Sequence, residues 1–325
     1  MQKYLQIFLP AICLIAGLVG FYVGALALGV DTVSLIFLLG CPLISGFVIL
    51  YFRPKNSFRT FGGAVVWLLG VMLLAIFLTF GLGFEGMICV AMAIVPVLIF
   101  TLLGGVFYLI FLRWRSETNG AVTLISFPLI ALAIADMAPV DPVIYEISTD
   151  VVIDAPAEAV FAMLKTIEDI QPAEVPTRLP HLLGVPKPTS AVWSETEEGA
   201  LRQSRWGPDV QFHERITKVV EGQQISWVFE FPEDWAAEGI EDPHIKVGGD
   251  YFDILSGGYR LEDLGGKTRL SLTTRTYDNS GFGAYAKFWH EFFFGSFHEV
   301  ILAVVKTRSE TAKHDQPTAQ ALLDL

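Results

Sequence analysis

Five long apolar runs fill the first 140 residues and constrain the chain more than any other feature: about 5–29, 33–52, 61–83, 87–112 and 121–138. A membrane-spanning helix needs roughly 20 predominantly apolar residues, so each run is expected to cross a bilayer. The first is too long for a signal-peptide core and more spans follow at once, so it is expected to be retained. The fifth, AVTLISFPLIALAIADMA, is short and contains Pro128 and Asp136. A re-entrant or interfacial segment is the alternative for that run. Asp136 is the only charge well inside a run and it sits near an end, so no intramembrane ion or proton pathway is legible. The glycines of GLVGFYVGALALG suit close helix packing. The bland reading, an anchor or small helix bundle, therefore stands above a transporter.

Charge divides the chain at the same place. The 325 residues are 53% hydrophobic with a mean hydropathy of +0.51 and a net charge of −12. Residues 1–140 carry Lys3, Arg53, Lys55, Arg59, Arg113 and Arg115 against Asp31, Glu85, Glu117 and Asp136, a net of +2. Residues 141–325 are left with −14, which argues against nucleic acid as a partner. The basic residues cluster in RPKNSFR and LRWRSETNG, while the turns holding Asp31 and Glu85 have no Lys or Arg. Basic loops stay in the cytoplasm. The expectation is an integral protein of a bacterial inner membrane, its N-terminus cytoplasmic and its acidic C-terminal part outside. Cys13, Cys41 and Cys89 all lie in apolar runs, so the acidic part has no disulfide framework or thiolate metal site.

A second fold begins at VVIDAPAEAVFAML, residues 151–164. The preceding YEISTDVVI alternates and is β-branched, a strand pattern. Pro156 suits a first helical position, Glu158 the first turn, and Val160, Phe161 and Leu164 an apolar helical stripe. Next come the alternating runs ALRQSRW, QFHERITKVV, ISWVFEF, YFDILSGGYRLEDL and TRLSLTTRTY, with turns at EGQQ and GGK. One helical run then extends from about Ala284 to Glu310. The predicted fold class is all-α transmembrane helices followed by an α+β domain, a curved antiparallel sheet packed on a long C-terminal helix. The expected organisation is a membrane domain over 1–140, a second domain over 145–310 and a polar tail over 311–325.

The opening motif, the stretch SRWGPDVQFHERITKVVEGQQISWVFEF, the hairpin YRLEDLGGKTRLSLTTR and the final YAKFWHEFFFGSFHEVILAVVKTRSE occur in the order of a known group. Residues 145–310 resemble the SRPBCC superfamily, which groups START, birch-pollen-allergen and polyketide cyclase/dehydrase domains with a helix-grip fold. The resemblance implies a hydrophobic-ligand cavity between sheet and helix. It does not imply one reaction, because the fold hosts both binders and enzymes. The proline-rich region 172–190 departs from the usual pair of short helices, and PEDWAAEGIEDPHIKVGG is a long insertion between strands.

Candidate site residues follow from parity and periodicity. Ile225, Trp227, Phe229 and Phe231 share a strand face, as do Tyr259 and Leu261, and as do Leu270, Leu272, Thr274 and Thr276. Tyr285, Trp289, Phe292, Phe293, Ser296 and Val300 form a helical stripe, with Lys287, Glu291, His298 and Glu299 toward the other side. An aromatic helix face is thus expected opposite Trp227 and Phe229. A solid core is the plain alternative; the excess of rings, with Ser296 and Thr274 among them, favours a cavity. Glu214 shares parity with Phe212 and Ile216. If it is buried, it is either an acid or base with a raised pKa or the partner of an arginine such as Arg205. His181 could line an entrance or lie on the surface.

Sharper motifs fail. HEFFF at His290 lacks the second histidine of a zinc-protease helix. His290 and His298, eight apart, have no accompanying carboxylate pattern. GFGAYA opens the last helix of an antiparallel domain, so it is not a dinucleotide loop. No metal and no cofactor are expected. The leading reading is a membrane-tethered domain that binds or transfers a hydrophobic small molecule or lipid. The alternatives are a cyclase/dehydratase-like enzyme using Glu214, and a structural membrane protein whose second domain binds another protein.

Overall fold

The computed structural model describes residues 2–29, 32–53, 60–114, 120–237, 239–242 and 244–315. Asp31, Lys55, Arg59, Arg115 and Glu117, on which part of the charge reading falls, lie outside the described residues, as do positions 316–325 of the expected tail. Two compact units are present. One comprises Met1–Asp141 with Asp242–His244 and Ser280–Phe282; the other comprises Pro142–Glu241, Ile245–Asn279 and Gly283–Leu325.

The first unit is all-helical. Its elements are α1 (Gln2–Ala27), a π-helical turn Ile36–Gly40 running into α2 (Cys41–Tyr51), α3 (Phe61–Gly81), α4 (Met87–Trp114) and α5 (Gly120–Asp136). Each apolar run is thus helical. Three stretches, Leu9–Ala27, Phe61–Gly81 and Met87–Arg113, are long and apolar enough to cross a membrane. Large apolar side chains such as Val66, Val95, Phe127 and Ile134 face outward.

Small residues set the packing. A Cβ on Gly46 would meet the carbonyl oxygen of Thr101 at 1.9 Å, and one on Gly104 that of Leu43 at 2.0 Å, so α2 and α4 touch backbone to backbone. The Asp136 carboxylate accepts from the N–H groups of Leu35 and Ile36, both at 2.7 Å. The charge that looked anomalous in the fifth run therefore caps the helical segment beginning at Ile36.

The second unit is a seven-stranded antiparallel sheet of order β1-β7-β6-β5-β4-β3-β2, gripping a 32-residue helix. Its strands are β1 (Val143–Ile153), β2 (Pro188–Thr196), β3 (Gly199–Trp206), β4 (Val210–Val220), β5 (Gln224–Glu230), β6 (Phe252–Asp263) and β7 (Thr268–Asp278). Its helices are α6 (Ala157–Lys165), α7 (Leu179–Leu182) and α8 (Ala284–Asp315). The register slips at Thr217 between β4 and β5 and at Leu255 between β6 and β7, and such bulges bend a sheet. Thr268 Oγ1 donates to the Ala155 carbonyl at 2.7 Å, fixing the turn from β1 into α6.

Two local expectations are corrected. Pro156 is the extended N-cap at φ −66° and ψ 150°, one position before the helix. The edge strand β2 is additional to the expected strands; its one proline, Pro188, is its first residue, a position an edge strand tolerates. In region 172–190 the four-residue α7 is the one helix among the described residues. The start of the 232–249 insertion docks on β4: Gln211 N–H donates to Trp235 O at 2.7 Å, and Ala237 N–H to Asp209 O at 2.8 Å.

Candidate functional site

The inner face of the sheet carries a buried ion pair. Arg202 on β3 and Glu214 on β4 are direct cross-strand partners. They are 3% and 5% exposed. Arg202 Nε donates to Glu214 Oε2 at 2.5 Å, a second guanidinium N–H points at the same oxygen, and Ser204 Oγ donates to Glu214 Oε1 at 3.0 Å. Arg202 Nη1 reaches the Leu164 carbonyl at 2.7 Å, tying α6 to the sheet. The guanidinium stacks 4.8 Å from the Trp227 ring and 5.2 Å from that of Tyr259. Glu214 therefore points inward with Phe212, and its partner is Arg202, not Arg205: only alternate residues of β3 face inward, and Arg205 has the wrong parity. Burial pushes the Glu214 carboxyl above its ordinary range, against the pull of Arg202 and Ser204.

Around this pair the interior divides along α8. At the C-terminal half, Val300, Leu302, Val304 and Val305 pack with Ile153, Val160, Phe161, Leu164, Ile225, Leu270 and Leu272, with the rings of Trp227 and Tyr259 in the same cluster. The N-terminal half carries rings instead. Trp289 and Phe293 stack at 5.5 Å, Phe288 and Phe292 at 6.1 Å, and Tyr285 meets Trp289 edge-on at 6.2 Å. Phe293 is buried, Tyr285, Trp289 and Phe292 are half-buried, and Phe288 is 54% exposed. On the sheet, Phe212, Phe229 and Phe231 form a cluster that reaches Trp227 through Phe229 at 6.0 Å.

The expected juxtaposition of helix rings with Trp227 and Phe229 is not what the ring contacts record. Among the described residues, the ring contact from this half of α8 to the inner strands β3–β5 joins Phe297 to Trp206 at 5.3 Å. Helix length explains the difference: Trp289 and Val304 are fifteen residues apart, roughly 22 Å along the axis. Only the C-terminal half meets the Trp227 core.

The two polar groups expected to offer hydrogen bonds are both used internally. Ser296 Oγ donates to Phe292 O at 2.8 Å, one turn back in its own helix. Thr274 Oγ1 lies 2.8 Å from His298 Nε2, whose Nδ1 lies 3.2 Å from Thr149 Oγ1. His298 is 1% exposed, so it faces the sheet and not the outer side. Burial lowers its pKa to about 4. His290 also hydrogen-bonds to the sheet, with Nδ1 2.7 Å from Thr276 Oγ1 and its ring 4.9 Å from that of Tyr145. The spacing of His290, Phe294 and His298 by four residues was the available signal, since it marks one drifting helical face. His181 lies in α7 with Nδ1 3.0 Å from Val185 O. The Trp227 indole N–H, by contrast, is buried with no acceptor among the described residues. Its ring lies flat on Gly257, where a Cβ would fall 2.6 Å from the indole.

No family model and no curated protein matches the sequence. Solved structures do match the second unit. A norcoclaurine synthase point mutant from Thalictrum flavum, in complex with a transition-state analogue, is 11% identical over 54% of this chain and 99% of its own, with a TM-score of 0.34. The Zhui aromatase/cyclase from Streptomyces sp. R1128 is 14% identical over 52% and 94%, with a TM-score of 0.33. The Aha1 dimer from Colwellia psychrerythraea is 15% identical over 48% and 96%, with a TM-score of 0.24. Likeness of this degree bears on neither ligand nor reaction.

Proposed function

We propose that the second unit is an SRPBCC-like helix-grip domain, tethered by the first, that binds or transfers a hydrophobic small molecule or lipid. The supporting observations are the half-buried aromatic segment at the N-terminal half of α8 and, on the sheet, the ring cluster of Phe212, Phe229 and Phe231 that leads to Trp227, whose buried N–H has no acceptor among the described residues. A buried donor without a partner costs about 1–3 kcal/mol. An elongated apolar ligand with one oxygen, reaching from the helix rings along the Phe212–Phe229–Phe231 cluster, would cover the rings and accept from that N–H, the usual make-up of small-molecule sites. Phe212, Trp227, Phe229, Tyr259, Trp289, Phe292 and Phe293 are the proposed contacts. Leu272, Thr274 and Ser296 are assigned to packing, and Tyr285 to the rim.

Glu214 supports the binding reading over the enzymatic one. Both its oxygens already accept hydrogen bonds from Arg202 and Ser204, which leaves it poorly placed to exchange a proton with a substrate. The test is native mass spectrometry of residues 142–315 purified without added lipid, followed by displacement of a fluorescent fatty-acid probe. Retained lipid or saturable probe binding, weakened by Trp289→Ala, is the expected result. A domain that carries no lipid and binds no probe would overturn the reading.

A further inference from the structure

We infer that the first unit contains a divalent metal site formed by Glu85, Asp242 and His244. Glu85 lies in the turn between α3 and α4, and Asp242–His244 belongs to the same compact unit. One ligand atom from each of the three residues lies within 4.8 Å of the others. The sequence could not show this, because Glu85 and His244 are 159 positions apart and neither sits in a recognisable motif.

The surrounding contacts already orient the ligands. Asp242 Oδ2 accepts from Gly86 N–H at 2.9 Å and Oδ1 from His244 N–H at 2.8 Å. The Tyr22 hydroxyl donates to the Glu85 carboxylate. His244 Nε2 lies 3.8 Å from Glu85 Oε1 and 3.4 Å from the Tyr22 hydroxyl.

Charge gives the reason for a cation. Asp242 is 8% exposed and Glu85 is largely covered, and two carboxylates and an imidazole converge there. Buried carboxylates require a counter-charge, and one divalent ion balances two of them. The imidazole selects the class: calcium and magnesium take oxygen ligands, whereas zinc and its first-row neighbours take mixed imidazole and carboxylate sets. At metal–ligand distances of about 2.0–2.2 Å, donor atoms draw to roughly 3.4 Å apart, a contraction within reach of side-chain rotation. Three protein ligands leave one position for water. The bound ion would pin the 242–244 segment to the turn before α4.

The test uses the full-length, tag-free chain in detergent. It is equilibrated with Zn²⁺ in the presence of excess Mg²⁺ and Ca²⁺, and bound metal is measured by atomic emission. About one zinc per chain is expected, with a rise in thermal midpoint that a chelator reverses. Glu85→Gln and His244→Ala should each weaken binding by at least roughly 10–100-fold, the range seen even for outer-sphere partners. His213→Ala, on β4, should not. Should His244→Ala fail to fold, His244→Gln and the zinc-dependent thermal shift of the unmutated chain decide. No zinc bound, no thermal shift, or unchanged binding in the folded variants would overturn the site.

Discussion

The two halves of α8 do different work in one continuous helix. From Val300 onward the apolar residues that face the sheet are aliphatic and almost wholly covered, and they close on α6 and the inner strands. From Tyr285 to Phe297 they are aromatic, and only part of that surface is covered. Burial stabilises at about 25 cal/mol per Å² of apolar surface, so the C-terminal half secures the fold. The N-terminal half leaves ring surface exposed, which a ligand can cover.

Truncation in the core that packs on the C-terminal half, at Phe161 of α6, and in the aromatic half breaks or sharpens this contrast most strongly. In residues 142–315, Phe161→Ala removes a ring that is 1% exposed and should cost about 3–5 kcal/mol in urea denaturation. Trp289→Ala should cost clearly less, while the fatty-acid probe loses affinity. Equal costs at both positions, with no probe binding to the unmutated domain, would show that the aromatic segment is ordinary core.

The ion pair comes next in size. Arg202→Met leaves Glu214 buried without its counter-charge and should destabilise by about 3–5 kcal/mol. Arg202→Met combined with Glu214→Leu should recover most of that loss. Full stability of the single variant would mean that Glu214 is neutral in the native domain, and would restore it as a candidate acid.

A smaller effect distinguishes the halves by pH. His298 lies at their junction, with a folded pKa lowered to about 4 by burial, against about 6.5 when unfolded. The unfolded chain therefore binds the extra proton first as pH falls. The stability that neutral His298 contributes is fully present above pH 6.5 and is lost between there and about pH 4, by up to about 3 kcal/mol. His298→Gln should flatten this window in urea melts taken at a series of pH values. An unchanged slope would place the titration elsewhere.

Period and parity made much of the fold legible. The apolar runs, the strand-to-helix switch at Pro156 and the alternation in β3 to β7 each need only local spacing. Parity also tied Glu214 to whichever face Phe212 takes. What local spacing could not provide was pairing. Arg202 rather than Arg205 faces Glu214 because of the β3–β4 register, which a sequence does not display. His298 looked outward because the stripe was drawn straight, whereas a helix packed along a twisted sheet turns a drifting face toward it. The aromatic stripe itself was visible, but its separation from Trp227 depends on which half of a long helix the sheet closes upon.

The smallest expected effect concerns Ser296, a residue that sequence alone would place among the ligand contacts. Its hydroxyl donates to the Phe292 carbonyl in its own helix, a bond Ser makes in helices without stabilising them. Alanine is the better helix former by a few tenths of a kcal/mol, and the side chain is only half-covered. Ser296→Ala should therefore leave stability within about 0.5 kcal/mol of the unmutated domain and probe affinity unchanged, while the neighbouring Trp289→Ala weakens it. A loss of affinity of roughly tenfold, about 1.4 kcal/mol, at unchanged stability would mean that the hydroxyl leaves Phe292 to bond the ligand. The polar contact in the aromatic half would then come from the helix and not from Trp227 on the sheet.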